Sequence, residues 1–206
     1  MLSKFDVLES EKQERILNAA MKEFAEKGFQ HASTNQIVAN AGISKGLLFH
    51  YFSNKKALYL YLYEYSTDKI LEDFFGQIDF GQNDILLRLR EMLVIKFRLM
   101  NKYPVIFDFL MIANRDEAAD EQDLKTRNQA IMVDSYEKLF ASIDESLFRK
   151  DIDPGMGKQI IIWTIEGISN QVRAQDKHKK REEIQEEATL AELDAYLDIL
   201  RKTLYI

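Results

Sequence analysis

Apolar residues in the first sixty positions recur with helical spacing, and serine and glycine mark where helices begin and end. Ser10 with Gln13 has the spacing of a capping box, and Gly28 suits the position that follows a last helical turn. The pattern predicts a first helix over 10–27, whose apolar face is formed by Ile16, Ala19, Ala20 and Phe24.

Two short helices are predicted next, with a tight turn between them. Ser33 and Gln36 again have capping-box spacing, and Gly42 ends the helix that they start. Ser44 is a good N-cap for another helix, which runs to about Tyr51. Two short helices joined through a glycine-containing turn have the layout of a helix-turn-helix, whose second helix enters the major groove of DNA.

The rest of the chain also predicts helices, with one conflicting segment. Residues 58–65 read LYLYLYEY, an alternation typical of a β-strand, yet a Lys-Lys-Ala start and no breaker before Phe75 favour a helix. Two glycines indicate a loop over 76–83. Pro104 and Pro154 mark helix starts, so that the remaining helices are expected near 84–101, 104–114, 120–149, 154–177 and 186–204.

Charge supports the helix-turn-helix interpretation. The 206 residues have a formal net charge of −6, but no Asp or Glu occurs from Gly28 to Tyr63, where Lys45, Lys55 and Lys56 add three positive charges. An acid-free segment lets a polyanion approach, because each lysine near a phosphate releases condensed counterions. The alternative on these grounds is a helical hairpin with solvated lysines.

Composition argues against several other classes of protein. With no cysteine, the chain forms neither disulfides nor thiolate metal sites, which suits a reducing cytoplasm. The N-terminus lacks the apolar core of a signal peptide, and no apolar run approaches membrane-spanning length. We therefore expect a cytoplasmic protein. Because phosphate-binding glycine loops, nucleophile elbows and paired-histidine metal motifs are absent, we also expect a protein that is not an enzyme and carries no cofactor or metal.

Residues 16–58 resemble the TetR family of bacterial transcriptional regulators. The resemblance lies in ILNAAMKEFAEKGF, the capped helix after it, AGISKG and FHYFSNKKAL. It implies an all-α fold of about nine helices: a helix-turn-helix DNA-binding domain over 1–56, with three helices, and a larger ligand-binding and dimerisation domain over 57–206. The helix from about residue 55 to Phe75 would then join the two.

DNA contacts can be assigned within the DNA-binding domain over 1–56, which we call the head. Residues near the starts of the two short helices can reach base edges: Asn35, Lys45, Gly46 and Leu47. Family regulators more often carry a small or hydroxylated residue where Leu47 stands. Phosphate contacts, which fix register rather than read sequence, are predicted for Ser33, Thr34, His50, Tyr51 and Lys55.

The ligand-binding and dimerisation domain over 57–206, which we call the body, shows two kinds of apolar pattern. Regular stripes on the last two helices predict a homodimer interface, because a palindromic operator requires two heads: Ile161, Ile165, Ile168, Val172, Leu193, Leu197 and Leu200. Packing within one subunit accounts for part of these stripes. A surplus of methionine and aromatic residues, with Glu166 as a polar group, predicts a pocket for a small lipophilic effector: Met92, Phe97, Met100, Phe107, Met111, Met132, Tyr136 and Trp163.

Together these patterns predict a homodimeric, sequence-specific regulator, most simply a repressor that the effector releases from double-stranded DNA. One alternative is a structural DNA-binding protein without an inducer. A preformed, partly polar cavity in the body would favour the regulator over this alternative. A second alternative is a non-catalytic carrier of lipids or other small molecules, or an enzyme, whose head only mimics a helix-turn-helix.

Overall fold

The computed structural model describes residues 5–115, 122–175 and 183–206, without the side chains of 122–128, 132 and 172–175. Within these ranges it contains nine α-helices and a short 3₁₀ turn at Glu145–Leu147, so the predicted all-α fold is confirmed. The helices are α1 (Ser10–His31), α2 (Thr34–Ala41), α3 (Lys45–Tyr51), α4 (Lys55–Phe75), α5 (Ile85–Lys102), α6 (Pro104–Ala113), α7 (Gln122–Phe140), α8 (Pro154–Gln175) and α9 (Glu186–Leu204).

Packing divides the chain into two compact units. The first comprises residues 1–73 and 100–127, and the second comprises 74–99 and 128–206. Most of α4 and all of α6 therefore pack with the three head helices. The division into a DNA-binding domain over 1–56 and a ligand-binding domain over 57–206 is a functional one, and it stays a prediction.

The core of the first unit forms around α1, which packs against α2 and α6. Residues 58–65 are helical, although their alternating pattern is typical of a strand. Successive turns of α4 bury Leu58, Tyr59, Leu62 and Tyr63 on one face of the helix, while Glu64 on another face is exposed. The helix prediction for this segment is confirmed.

The serine caps of the head have different outcomes. Ser33 and Ser44 cap α2 and α3, each hydroxyl accepting a main-chain N–H. The capping box predicted for Ser10 and Gln13 is wrong, since α1 begins without a side-chain cap. The Gln13 amide instead donates to the carbonyl of Phe5 at 2.8 Å.

Gly28 interrupts α1, where the sequence predicted the first helix to end. Its φ of 67° and ψ of 173° lie outside the helical region, and one further turn follows to His31. The change of direction returns Phe29 to the core, where its ring stacks on that of Phe24 and meets Tyr59 edge-on, with centroids 6.4 and 5.1 Å away.

Replacing Gly28 by alanine is expected to lower the free energy of unfolding by about 1–3 kcal/mol, because this backbone region is essentially restricted to glycine. Urea unfolding monitored by circular dichroism measures the change. Gly46→Ala is the matched control: a Cβ there meets nothing within 4 Å, so we expect a stability change within about 1 kcal/mol. Equal effects of the two substitutions would contradict the assigned backbone strain.

In the second unit, α5 and α9 run antiparallel. Arg90 pairs with Asp194 at 2.7 Å, and Arg201 pairs with Asp84 at 2.8 Å, which sets the register of the two helices. The core between them and α8 contains residues that the sequence analysis assigned to a dimer interface. Because they are buried inside a single chain, that assignment is wrong for Ile161, Leu193, Leu197 and Leu200.

The helix predicted over 120–149 is too long. It ends at Phe140, and Ser142 follows with a positive φ of 57°. Arg88 of α5 is fully buried beside this end, and its guanidinium donates to the carbonyls of Leu139 and Ala141. It also donates to the carbonyls of the preceding loop, Phe80 and Gln82.

Of the helices in the described ranges, none combines the length and the apolar character that crossing a membrane requires.

Candidate nucleic-acid interface

The α2–turn–α3 segment has the geometry of a helix-turn-helix. Gly42 adopts the left-handed conformation, with φ 65° and ψ 39°, and the next N–H, that of Ile43, returns to the carbonyl of Val38 at 3.1 Å. Leu48 is buried and fixes α3 to the core, while Phe52 is buried just beyond its end. The opposite face of α3 remains available to solvent.

Residues predicted to contact bases lie in the first turns of α2 and α3. Asn35, Lys45 and Gly46 are exposed, and Leu47 is half-buried. The space around Gly46 is open, because a Cβ built there meets no atom within 4 Å. The structure thus makes this face accessible, and the four base contacts stay predictions.

Most of the predicted phosphate-contacting residues surround this face. Ser33 and His50 are exposed, while Thr34 and Tyr51 are half-buried. The Tyr51 ring is supported by edge-on contact with Phe5, whose centroid is 5.6 Å away. Their contacts with phosphate stay predictions.

Lys55 has a role inside the protein that the sequence did not indicate. Its ammonium donates to the carbonyls of Gln30 and Ala32, at 3.2 and 3.1 Å, and lies 4.8 Å from the centre of the Phe29 ring. Gln30 lies in the last turn of α1, and Ala32 directly follows that helix. A phosphate contact by Lys55 would have to coexist with these bonds.

Glu23 is a second residue that sequence analysis missed. Its side chain is only 8% exposed, and its carboxylate accepts the N–H of Ser33 at 2.9 Å. In a capping box Gln36 would accept that N–H, but its amide instead donates to Asn40 at 2.9 Å. The sequence did contain one signal for this role: Glu23 is an acidic residue on the predicted apolar side of the first helix, one position before Phe24.

A cavity of about 250 Å³ lies within the second unit. This volume is below the ~300–1,000 Å³ typical of drug-sized sites, so it suits a compact ligand. Its walls come from α5, α8, α9 and Phe74 at the end of α4. They are mainly apolar and comprise Phe74, Leu89, Met92, Leu93, Ile165, Ile168 and Leu193, with four polar residues, Lys96, Ser169, Thr189 and Glu192.

The helix directions give this cavity a polar end. Because α5 and α9 are antiparallel, Lys96 and Thr189 both lie beyond the Arg90–Asp194 pair, at the end away from Asp84. The start of α8 adjoins the end of α9, since Phe148 contacts both Tyr205 and Gly157. Ser169, farther along α8, therefore lies toward the same end as Lys96.

Few of the predicted pocket residues meet at this cavity. Met92 lines it, while Tyr136 and Glu166 hydrogen-bond to each other at 3.0 Å. Trp163 does not line this cavity and is 63% exposed in the single chain, and its pocket assignment stays a prediction. Phe97 is buried in the second unit, but it does not line the cavity. The first unit contains Met100, Phe107 and Met111. The side chain of Met132 lies outside the described residues.

The cavity also explains part of the isoleucine stripe. Ile165 and Ile168 line it instead of forming an external surface, and the side chain of Val172 lies outside the described residues. A different stripe of α8 is exposed, five positions earlier along the helix and with the same spacing. It consists of Met156, Ile160, Trp163 and Gly167, and we call it the α8 stripe.

Comparison with known proteins identifies relatives of this chain. The family model described as "Bacterial regulatory proteins, tetR family" matches residues 16–62. The chain is 30% identical over 152 residues to the HTH-type transcriptional regulator RutR of Escherichia coli (strain K12), which covers 70% of this chain and 68% of that protein. It is 27% identical over 163 residues to the HTH-type transcriptional regulator YvdT of Bacillus subtilis (strain 168), with 79% of each covered.

A solved structure shows that the fold extends beyond the matched head. The crystal structure of a transcriptional regulator from Pseudomonas aeruginosa PAO1 superimposes with a TM-score of 0.68 at 19% identity, covering 97% of this chain and 95% of that one. The helix-turn-helix geometry, the family model and the similarity to RutR agree. The chain belongs to the TetR family of helix-turn-helix transcriptional regulators.

Proposed function

We propose that this regulator is a dimeric repressor that leaves a palindromic operator when a small lipophilic molecule binds its body. The observation that carries the proposal is the exposed, acid-free face of α2 and α3, whose first turns present Asn35, Lys45 and Gly46. In the proposed complex these residues and Leu47 meet base edges. Ser33, Thr34, His50 and Tyr51 meet phosphates. Because the operator is chromosomal DNA, the proposal places the protein in the cytoplasm.

Selection from random duplexes at two salt concentrations tests the DNA part of the proposal. We expect recovery of a palindrome, with an affinity that falls steeply as salt rises, because lysine–phosphate contacts release counterions. Recovery of sequences without two-fold symmetry would contradict the proposed dimeric mode of recognition.

The α8 stripe supports a second copy of the chain as the dimer partner. Its apolar side chains are well exposed in one chain: Met156 is 69% exposed and Ile160 is 41% exposed. A contiguous apolar patch of this kind marks an interaction surface. Regulators of this family form dimers, and a palindromic operator requires two-fold symmetry, which places the same patch on both partners.

Trp163→Glu is expected to weaken dimerisation by at least about a hundredfold, because a charge would be buried at the centre of the patch. Sedimentation equilibrium measures the dissociation constant. Val133→Glu, at a 54% exposed position of α7 outside the stripe, is the control and should leave the dimer intact. A dimeric Trp163→Glu protein would show that another surface mediates assembly.

The cavity of the second unit supports effector binding. Its apolar walls and its polar end suit a compact amphiphile whose head group lies near Lys96, Ser169 and Thr189. A ligand releases the protein from its operator only if it binds the DNA-free geometry more tightly than the DNA-bound one. The reason is that a ligand shifts an equilibrium by its differential affinity for the two states. A partly polar cavity favours this regulated function over a structural DNA-binding protein without an inducer.

Met92→Trp is expected to fill part of the cavity and to reduce ligand affinity by about tenfold or more, with unchanged operator affinity. Calorimetry with n-octanoate, n-octanol and n-octylamine as probes measures the first quantity, and fluorescence anisotropy with the selected duplex measures the second. Leu87→Trp, at an exposed position of the same helix, is the control. Equal probe binding by both variants would remove this cavity from the proposal.

A further inference from the structure

Residues 28–33 comprise the last turn of α1, from the interruption at Gly28 onward, and the two residues that lead into α2. This joining segment is bound by two oppositely charged side chains. Glu23 of α1 accepts its last N–H, that of Ser33, and Lys55 of α4 donates to two of its carbonyls. Both charged residues come from helices of the same compact unit. We call this arrangement of Glu23, Lys55 and the joining segment the linker clamp.

We propose that Glu23 and Lys55 are positioning residues for DNA binding, which fix the place of Ser33 and Thr34 through the main chain. Lys55 then contributes by its bonds to the joining segment and not by contact with a phosphate. The inference rests on the proposed function, in which the start of α2 contacts the DNA backbone.

The contacts of Lys55 define this role. Two of its three N–H donors point at main-chain carbonyls, and its ammonium lies over the face of the Phe29 ring. Bonds from an ionised donor are roughly twice as strong as neutral ones, and the aromatic face adds further attraction. The ammonium is therefore directed toward the protein, and two of its three donors are already used by the main chain.

The contact of Glu23 complements the two bonds of Lys55. A carboxylate that is mostly removed from water requires a donor, and the Ser33 N–H at 2.9 Å is that donor. The start of α2 is consequently set by a residue of α1, whereas a capping box would have set it within α2 itself. The amide of Gln36, which a capping box would use, is bonded to Asn40.

Salt dependence separates positioning from phosphate contact. We would compare Lys55→Met with Lys45→Met, which removes the same charge from the exposed face, on the duplex selected from the random library. Loss of one phosphate contact lowers the slope of log affinity against log salt by about 0.9. We expect Lys55→Met to weaken binding by about tenfold with its slope unchanged, as for loss of charge-assisted bonds within the protein.

Hydrogen exchange of the Ser33 amide in DNA-free protein provides a second readout, which no DNA contact can influence. We expect Lys55→Met and Glu23→Ala to accelerate this exchange by about tenfold relative to wild type, since each removes one side of the clamp. Glu23→Gln keeps an acceptor oxygen and should show a smaller effect than Glu23→Ala. Lys45→Met should leave the exchange unchanged.

A slope reduced by about 0.9 in Lys55→Met would overturn the proposal and identify Lys55 as a phosphate contact. Unchanged Ser33 exchange in both Lys55→Met and Glu23→Ala would overturn it independently. Failure of the proposed DNA interface itself has a different signature: unchanged affinity in Lys45→Met, together with accelerated Ser33 exchange in the two clamp variants.

Discussion

Arg88→Met is expected to lower the free energy of unfolding by about 3–5 kcal/mol, because it leaves several buried carbonyls without their donor. The guanidinium of Arg88 is fully buried and donates to main-chain carbonyls on both sides of it, in the loop at 80–82 and at the end of α7. Methionine fills a similar space but offers no N–H. Urea unfolding at a fixed protein concentration measures the loss, since dimerisation makes stability depend on concentration.

Arg90→Met is the matched control, two residues away on the same helix. Arg90 forms an ion pair with Asp194, but both side chains are more than 40% exposed. Exposed pairs contribute about 0–1 kcal/mol, so this variant should remain close to wild type. If the two arginine variants lost equal stability, the bonds of Arg88 to the main chain could not be the cause.

Phe5→Ala is expected to destabilise the first unit by about 3 kcal/mol or more, because a buried aromatic ring is removed and a cavity is left. Phe5 is 1% exposed, and its ring lies within 5.0–5.6 Å of the rings of Tyr51, Phe52 and Tyr61. Two further contacts fix this N-terminal segment: Gln13 donates to the Phe5 carbonyl, and the Tyr61 hydroxyl donates to Asp6 at 2.8 Å. Burial and the Asp6 carboxylate both raise the pKa of Tyr61, which keeps its hydroxyl protonated as a donor.

Thermal unfolding and operator affinity should both report the Phe5→Ala change, because Phe5 also supports the ring of Tyr51 at the end of α3. Val7→Ala is the control, since Val7 is 71% exposed two residues farther along the same segment. A stable Phe5→Ala protein with weakened DNA binding would show that the segment acts on α3 locally. An unaffected protein would contradict the assigned core position.

The sequence predicted the head well because its signals are local. Ser33, Ser44 and Gly42 each act on residues within a few positions, so spacing alone locates α2, α3 and the turn. Glu23 and Lys55 escaped prediction because their partners lie ten and more than twenty residues away, where only the packed fold brings them together. The Ser10–Gln13 box failed because Glu9 and not Ser10 takes the N-cap position of α1, and Gln13 bonds to Phe5 instead.

The body was predicted less well because apolar periodicity shows that a helix face is buried, but not what covers it. The leucines of α9 have the regular spacing of an interface stripe, yet Leu193, Leu197 and Leu200 pack inside their own unit. The cavity-lining residues come from four helices that are distant in sequence, so no local pattern groups them. Arg88 likewise carries no sequence signal, because its acceptors are main-chain carbonyls that any residue provides.

The contacts of the linker clamp also bear on the construction of chimeric regulators. A common engineering step is to graft the recognition segment of one regulator onto another, which here would mean exchanging residues 33–52. The acceptor for the first N–H of such a graft is Glu23, and the donor that orients its entrance is Lys55, both outside the exchanged segment. A chimera therefore needs a carboxylate at position 23 and an ammonium at position 55, from either parent, to hold the start of the grafted segment.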